Sequence, residues 1–147
     1  MFYVDDSIIL GPTEKNINEA VQALLDQKLE LIMEGNVSDF LGVHIYKVSN
    51  DIYHLHQTHQ INRVINDLNL QHDNVNTKSV PYKISEVLKR DREGAPFDDS
   101  FDYRSVIEKL NHIERCTRLD IAYIVHQCAR FMSEQCKTHS NAIKWLG

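Results

Sequence analysis

Short apolar runs on either side of two acidic residues open the chain and predict a β-hairpin. Phe2-Tyr3-Val4 favours a strand, Asp5-Asp6 favours a turn, and Ile8-Ile9-Leu10 favours a second strand. Gly11-Pro12 ends the second strand, because glycine and proline interrupt regular structure. The chain is therefore expected to begin with two extended segments around an acidic tip.

A helical period begins directly after this hairpin. Thr13 is the predicted N-cap, and Glu14 lies in the first turn, where a carboxylate suits the helix dipole. Apolar residues then recur at helical spacing: Ile17, Val21, Leu24 and Leu25. This spacing predicts an amphipathic helix over residues 14 to about 29.

A second hairpin is predicted from a return to alternating residues. Apolar positions alternate with others along one segment: Leu41, Val43 and Ile45 with Gly42, His44 and Tyr46. This alternation is typical of a half-buried strand. Ser49-Asn50-Asp51 supplies the turn, and Ile52–His56 resumes the extended character. Helical spacing returns at the next group of apolar residues: Ile61, Val64, Ile65 and Leu68.

The second half of the chain begins with a polar stretch and ends with helices. Residues 71 to about 100 include Pro81 and Pro96 and are predicted to be a loop or tether. The charged run from Lys89 to Gly94 within it is interpreted as a flexible surface loop. Three helices are predicted from apolar positions in three groups: Val106, Leu110 and Ile113; Ile121, Ile124, Val125, Cys128, Phe131 and Met132; and His139 to Leu146.

These patterns predict an α+β fold in two parts. Residues 1–56 would form a small sheet of two hairpins with one helix, and residues 57–147 a helical region containing the polar loop at about 71–100. The sheet of the first part is expected to present unpaired edges, which invite association. The helical part is expected to be the more ordered of the two.

Composition changes this picture mainly through charge. With 42% hydrophobic and 25% charged residues, the 147-residue chain has a globular composition, but its net charge of −5 opposes a free-standing nucleic-acid binder. No apolar run approaches the roughly 20 residues that cross a bilayer, and the N-terminus does not resemble a signal peptide. Three cysteines suit a reducing compartment. The sequence therefore predicts an intracellular, cytoplasmic location and no membrane partner.

Asp5 and Asp6 are candidate metal ligands. Nucleotidyl transfer uses two divalent ions about 3.5–4 Å apart, and magnesium prefers hard carboxylate oxygens. Adjacent aspartates in a tight turn present their oxygens together, whereas in a regular strand they would point to opposite faces. An Asp-Asp pair is also common in solvated turns, and the dipeptide alone favours that simpler interpretation.

Further motifs in the chain support the metal-binding interpretation. In chain order they are Tyr3-Val4-Asp5-Asp6 with Ile8 to Thr13, Ser38 to Ile45, Leu55-His56-Gln57 with Ile61, Pro81, Tyr103 to Ile107 with Lys109-Leu110-Asn111, and Thr117-Arg118 with Asp120-Ile121. Together they resemble the reverse transcriptase of copia-type LTR retrotransposons, and the resemblance runs over nearly the whole chain. Several ordered motifs at family-like spacing are far more specific than one tetrad.

The resemblance implies roles in the first part of the chain, which would be the remnant of a polymerase palm. Asp5 and Asp6 correspond to the paired aspartates that bind Mg²⁺, with Asp5 as the firmer direct ligand. Tyr3 corresponds to the aromatic residue beside the primer terminus. The strand around Phe40-Leu41-Gly42 and its partner strand through Leu55 are similar to a primer grip, which holds the primer end near the metal ions.

The second part would correspond to a helical thumb. The helix from Tyr103 to Ile113 resembles one that follows the template–primer duplex, and the implied phosphate contacts are Arg104, Lys109 and Arg118. A solvated helix face is the alternative interpretation of these cations, and Arg104 is equally expected to pair with Asp102 or Asp120. Three residues depart from the family pattern: Glu108 for glycine, His112 for an aromatic residue, and Leu119 for proline.

Two hypotheses of function follow. In the first, the chain is the C-terminal palm and thumb of an RNA-directed DNA polymerase, which acts with other polyprotein domains on dNTPs and an RNA–DNA or DNA template–primer duplex. In the second, it is a degenerate, non-catalytic remnant that is inert or binds nucleic acid or protein weakly. Because the family uses a further aspartate before the hairpin, the 147-residue chain alone is expected to be inactive.

Zinc binding is a separate possibility that the residue types raise. Two groups lie close together in the sequence: His54, His56 and His59, and Cys128, Cys136 and His139. The histidine spacing matches no familiar closed four-ligand pattern, which favours a half-exposed polar strand face. Cys128 continues the apolar stripe of its helix, which favours a small buried residue.

Overall fold

A computed structural model describes most of the chain as two compact units. The described residues are 2–3, 6–35, 37–50, 52–70, 78–82, 87–91 and 93–146. The first unit spans residues 1–55 and the second residues 56–147. The described residues combine small antiparallel sheets with five α-helices, which confirms the α+β prediction.

The first unit opens with a short antiparallel ladder. Strand β1 (Phe2–Tyr3) pairs with β2 (Asp6–Ser7), so that Phe2 lies opposite Ser7 and Tyr3 opposite Asp6. Asp6 is therefore a strand residue, and the prediction that places it in the turn is wrong. The predicted strand Ile8-Ile9-Leu10 is also wrong, because β2 ends at Ser7.

Helix α1 (Glu14–Asp26) follows, with the predicted cap. The Thr13 hydroxyl accepts the Asn16 backbone N–H at 3.3 Å and so satisfies one of the N–H groups left open by the first turn. The helix ends three residues before the predicted end at residue 29. Lys28 has φ 62°, and a left-handed residue ends an α-helix.

A three-stranded sheet completes the first unit, in the order β3 (Asp39–Phe40), β4 (Val43–Ser49) and β5 (Ile52–His56). β4 and β5 confirm the predicted second hairpin. The prediction of a strand from Leu41 is wrong, because Leu41 and Gly42 form the two-residue turn between β3 and β4. Both have positive φ, 51° and 76°, as a tight turn between twisted strands requires.

The helices of the second unit lie close to their predicted positions. They are α2 (Thr58–Asp67), α3 (Tyr103–Cys116), a short 3₁₀ helix (Leu119–Ile121), α4 (Ala122–Ala129) and α5 (Lys137–Lys144). Helix α4 ends before Phe131 and Met132, and α5 begins two residues earlier than His139. None of the helices in the described part of the chain combines the length and the apolar character that a membrane crossing requires.

The hydrophobic core lies in the second unit, around α3. Its fully covered side chains, each 0–1% exposed, are Val106, Ile107, Ile124, Val125, Cys128 and Ile143. In the first unit, the described hydrophobic residues that are buried are Val21 and Val43. Many larger ones are exposed there: Leu10, Leu25, Leu29, Ile32, Met33, Val37, Tyr46, Val48, Ile52, Tyr53 and Leu55. Burial of apolar surface therefore stabilises the second unit far more than the first.

The polar stretch before α3 packs against the helices of the second unit in the parts that the structure describes. Leu88 is buried in the core, and Pro96 forms a β-bridge with Cys136. Arg90 forms a two-point ion pair with Glu134. The described parts contain no helix, as the predicted loop requires, and these contacts hold them in place; residues 71–77, 83–86 and 92 lie outside the described residues.

Candidate functional site

The acidic hairpin is the first candidate site. Tyr3 and Asp6 are paired across the ladder. The predicted ligand Asp5 lies outside the described residues, as does the side chain of Tyr3. Asp6 is exposed. This ladder therefore holds Asp6 opposite Tyr3, directly beside Asp5 in the sequence.

The ligand types at this hairpin suit magnesium, but their number does not make a complete site. Magnesium demands near-octahedral coordination by oxygen ligands, some of which are water and substrate phosphate. The residues that the structure describes contain no group of three or more His, Cys, Asp or Glu side chains placed to hold a metal ion. Asp6 offers one carboxylate of such a set, so these residues alone do not fit a metal centre.

The predicted primer grip is a turn. Phe40 pairs with Val43 across Leu41-Gly42, and the next main-chain bond runs from the Ile45 N–H to the Ser38 carbonyl oxygen at 2.7 Å. Phe40 and Leu41 are half-buried. A two-residue turn of this kind lies at the end of a hairpin, and its main chain has few other accessible conformations.

Each of the three predicted phosphate-binding cations contacts a carboxylate. Arg104 Nε lies 3.1 Å from Glu108 Oε1, one helical turn away, and both side chains are exposed. Lys109 binds Asp67 of α2 and the Ser105 hydroxyl, the latter at 3.0 Å. The structure therefore does not gather these two cations at one point; each is balanced by a different acid.

Arg118 makes the most directional of these pairs. Its Nε and Nη2 atoms each lie 2.8 Å from one carboxylate oxygen of Asp120, the two-pronged geometry that suits a guanidinium. The hydrogen bond from Arg118 lowers the pKa of Asp120, and the same bond raises the pKa of Arg118. The departure Leu119 lies between them, exposed, at the start of the 3₁₀ helix.

A buried polar network beside α3 is a feature that the sequence did not reveal. Gln57 is 1% exposed; its Nε2 lies 2.7 Å from His112 Nδ1, and its Oε1 accepts the Thr117 hydroxyl at 2.8 Å. His112, a departure from the family pattern, thus has a structural partner 55 residues earlier in the chain. No local pattern marks Gln57, because its burial depends on α3 packing over it.

Five of the six residues considered for zinc make other contacts or lie in the core. Cys136 is the N-cap of α5, and its main-chain N–H donates to His139 Nδ1 at 3.2 Å. Cys128 is fully buried, as predicted, and burial raises the pKa of its thiol to about 12. His54 contacts the Tyr46 ring edge-on at 6.3 Å between ring centroids, and His56 Nδ1 lies 3.1 Å from the Thr58 hydroxyl.

Comparisons with known proteins agree with the motifs. A family model described as reverse transcriptase (RNA-dependent DNA polymerase) matches residues 1–84. A Retrovirus-related Pol polyprotein from transposon TNT 1-94 of Nicotiana tabacum is 27% identical over 155 residues. That match covers 99% of this chain and 11% of the relative, so the chain spans about a tenth of the polyprotein's length. No solved structure matches. The matched residues contain the acidic hairpin, α1, the sheet and α2, and the chain therefore belongs to the reverse transcriptase family.

Proposed function

We propose that the chain is the C-terminal palm and thumb of an RNA-directed DNA polymerase within a retrotransposon polyprotein. The observation that carries this proposal is the β1–β2 ladder, which pairs Tyr3 with Asp6, the neighbour of Asp5 in the sequence. This hairpin lies in the part of the chain that the family model matches. On this proposal residues 1–56 are palm and residues 57–147 are thumb.

Asp5 and Asp6 would supply carboxylate oxygens to Mg²⁺ in the whole polymerase. Divalent ions in such sites activate the attacking hydroxyl and stabilise the leaving phosphate. Because the hairpin alone offers too few ligands, other segments of the polyprotein must contribute the rest. Tyr3 and the Phe40-Leu41-Gly42 turn would hold the primer terminus, with the rigidity of the turn limiting its movement.

The cations of α3 would contact the template–primer duplex to different extents. The Arg104–Glu108 pair is exposed, and exposed pairs of this kind contribute only about 0–1 kcal/mol, so a phosphate can displace Glu108. Lys109 is four-fifths covered and bound to Asp67, which suits positioning of α2 against α3 better than contact with phosphate. Arg104 is therefore the preferred phosphate contact of α3.

A segment exchange tests the proposal. The homologous segment of the tobacco Pol polyprotein would be replaced by this chain, and primer extension on an RNA template would be measured with Mg²⁺. We expect extension above that of the relative lacking the segment, and its loss in Asp5→Asn and in Asp6→Asn. Asp26→Asn, at the end of α1, is the matched control and should retain activity.

Activity that survives both aspartate substitutions would contradict the proposal. The purified 147-residue chain, by contrast, is expected to show no primer extension by itself. Extension by the isolated chain that is abolished by Asp5→Asn would show that the ligand set is complete within it. Template–primer binding without any extension in the exchanged enzyme would instead point to the non-catalytic alternative.

A further inference from the structure

An open cavity of about 250 Å³ lies in the second unit. Three short segments line it: Lys78 to Pro81, Arg118 with Asp120 and Ile121, and Trp145 with Leu146. We call this feature the Trp145 notch. It combines an aromatic ring, two cations, a hydroxyl and apolar side chains, a set that none of the roles described above uses together.

The notch is built by contacts between segments far apart in the chain. Trp145 Nε1 donates to the Val80 carbonyl oxygen at 3.1 Å across 65 residues of sequence, which fixes the 78–82 segment beside the end of α5. Lys78 Nζ lies 4.8 Å from the centroid of the Trp145 ring, within the range of a cation–π contact. Ile121, which is buried, supplies an apolar wall.

The second cation of the notch is held in a defined orientation. Arg118 is fixed by its two bonds to Asp120, and its main-chain N–H donates to the Ile113 carbonyl oxygen at the end of α3. The lining therefore carries two positive charges, Lys78 and Arg118, against one negative charge, Asp120. A locally positive surface is notable on a chain whose net charge is −5.

These groups match the chemistry of a single nucleotide unit within a strand. Aromatic side chains stack on bases whatever their sequence, while lysine and arginine contact the backbone phosphate. The notch, at about 250 Å³, is smaller than the roughly 300–1,000 Å³ of pockets that enclose a whole small molecule, so it covers one unit of a longer strand only in part and does not enclose a duplex. Its open mouth leaves room for the strand to enter and leave.

We propose that the Trp145 notch binds one nucleotide of single-stranded nucleic acid, with the base against Trp145 and the phosphate at Lys78 and Arg118. This inference rests on the proposed polymerase function, in which an unpaired template strand is present. When the base stacks on the Trp145 ring, it displaces Lys78, and the Lys78 ammonium group then contacts the phosphate. Asp120 opposes binding, because it holds Arg118 and repels a phosphate.

Trp145 is the single tryptophan of the chain, so its fluorescence reports directly on the notch. The full chain would be titrated with a short oligothymidylate at several salt concentrations. We expect saturable quenching, weakened about five-fold or more by Lys78→Ala or Arg118→Gln, with a fall of about one in the slope of log affinity against log salt. Asp120→Asn should bind more tightly than the wild type.

Arg63→Gln, on the exposed face of α2, is the matched loss of one positive charge and should bind like the wild type. Circular dichroism identifies variants that fail to fold. If Arg118→Gln fails, the exposed Lys78→Ala and the charge-retaining Arg118→Lys decide the question. Arg118→Lys should bind more weakly than the wild type, because lysine lacks the two-pronged geometry.

Four results would overturn the proposal. They are absence of salt-sensitive quenching, wild-type affinity in Lys78→Ala and the folded Arg118 variants, equal affinity for thymidine monophosphate, and stronger quenching by duplex than by single strand. The third would assign the notch to a free nucleotide and the fourth to duplex. Each leaves the proposed function standing if Asp5→Asn and Asp6→Asn abolish primer extension in the exchanged enzyme, so the two failures are distinguishable.

Discussion

His139 Nε2 lies 3.0 Å from the Lys89 carbonyl oxygen, 50 residues earlier in the chain. A carbonyl oxygen only accepts, so Nε2 carries a proton and donates. Nδ1 accepts the Cys136 main-chain N–H, which makes the imidazole the neutral Nε2–H tautomer. The ring is fully buried and stacks on Phe131 with centroids 4.0 Å apart. One side chain thus caps α5 and holds the 87–91 segment.

Removal of this imidazole should destabilise the second unit strongly. His139→Ala leaves the Cys136 N–H and the Lys89 carbonyl without their partner and opens a cavity beside Phe131, which together cost about 2–4 kcal/mol. Urea unfolding followed by Trp145 fluorescence measures the free energy. His59→Ala, at an exposed position of α2, is the control and should change little. A loss below about 0.5 kcal/mol for His139→Ala would contradict this account.

Stability should depend on pH through the Arg118–Asp120 pair. The hydrogen bond from Arg118 lowers the pKa of Asp120 in the folded chain. The pair therefore stabilises the folded state at pH values above the ordinary pKa of a carboxyl group. That contribution is lost as the pH falls through the lowered pKa. Because both side chains are about half exposed, 46% and 52%, it is expected to be under about 1 kcal/mol.

Unfolding of the wild type and of Asp120→Asn at several pH values measures this effect. The difference between them should be present at neutral pH and disappear in strong acid. High salt should reduce it at neutral pH, as expected for an exposed pair. A difference that grows as the pH falls would have the wrong sign and would exclude the pair as its cause.

The three cysteines should differ sharply in reactivity. Cys116 is exposed, whereas Cys128 and Cys136 are buried. Burial raises the pKa of Cys128 to about 12, and the thiolate is the reactive form. A thiol reagent such as Ellman's should therefore modify Cys116 rapidly in the native chain near neutral pH and reach the others on unfolding. Cys116→Ser should remove the rapid phase; a rapid phase that persists would contradict the assignment.

The β3–β4 turn should be sensitive to the residue at position 42. Gly42 has φ 76°, a conformation that costs a residue with a side chain about 1–2 kcal/mol. Gly42→Ala is therefore expected to destabilise the hairpin by about 1 kcal/mol and speed hydrogen exchange at the Ile45 amide. Val48→Thr, exposed on β4, is the control. Unchanged exchange in Gly42→Ala would show that the turn does not limit opening of the hairpin.

Sequence periodicity predicted the helices well because their apolar residues face one common core. Val106, Leu110 and Ile113 of α3 recur at helical spacing and are all buried. The resemblance to the reverse transcriptase family was likewise confirmed by the match over residues 1–84.

Predictions failed where the outcome depended on pairing between distant residues. Ile8-Ile9-Leu10 is apolar enough for a strand, yet β2 ends at Ser7, because apolar character alone does not specify which residues pair across a ladder. Leu41 continues an alternating pattern but adopts φ 51°, because the Asp39–His44 and Phe40–Val43 pairs fix the register of the hairpin. The charges of the 89–91 segment predicted a solvent-exposed loop. Its bonds to α5 and Glu134 join residues more than 40 positions apart, so the local sequence does not indicate them.

The candidate site was predictable by residue type and not by arrangement. The four residues Tyr3 to Asp6 are consecutive, so the hairpin that contains them can be predicted from a few residues of sequence. The acid that pairs with each cation could not be predicted in this way. Arg104 pairs with Glu108 instead of the predicted Asp102 or Asp120, and Lys109 pairs with Asp67 on another helix. Trp145 and Lys78 come into contact only when α5 packs in the folded chain, so the periodicity of the sequence does not predict their contact.

The sparse burial of the first unit has a consequence for synthesis on the ribosome. Residues 1–55 leave the exit tunnel before the segment that contains α3 and its core has been made. Apolar residues such as Ile32 (92% exposed) and Leu10 (86% exposed) then have little of their own unit to fold against. Newly made, partly folded chains with exposed apolar surface aggregate readily. When this 147-residue chain is expressed by itself, we therefore expect the nascent first unit to engage chaperones for longer than the helical unit that follows it.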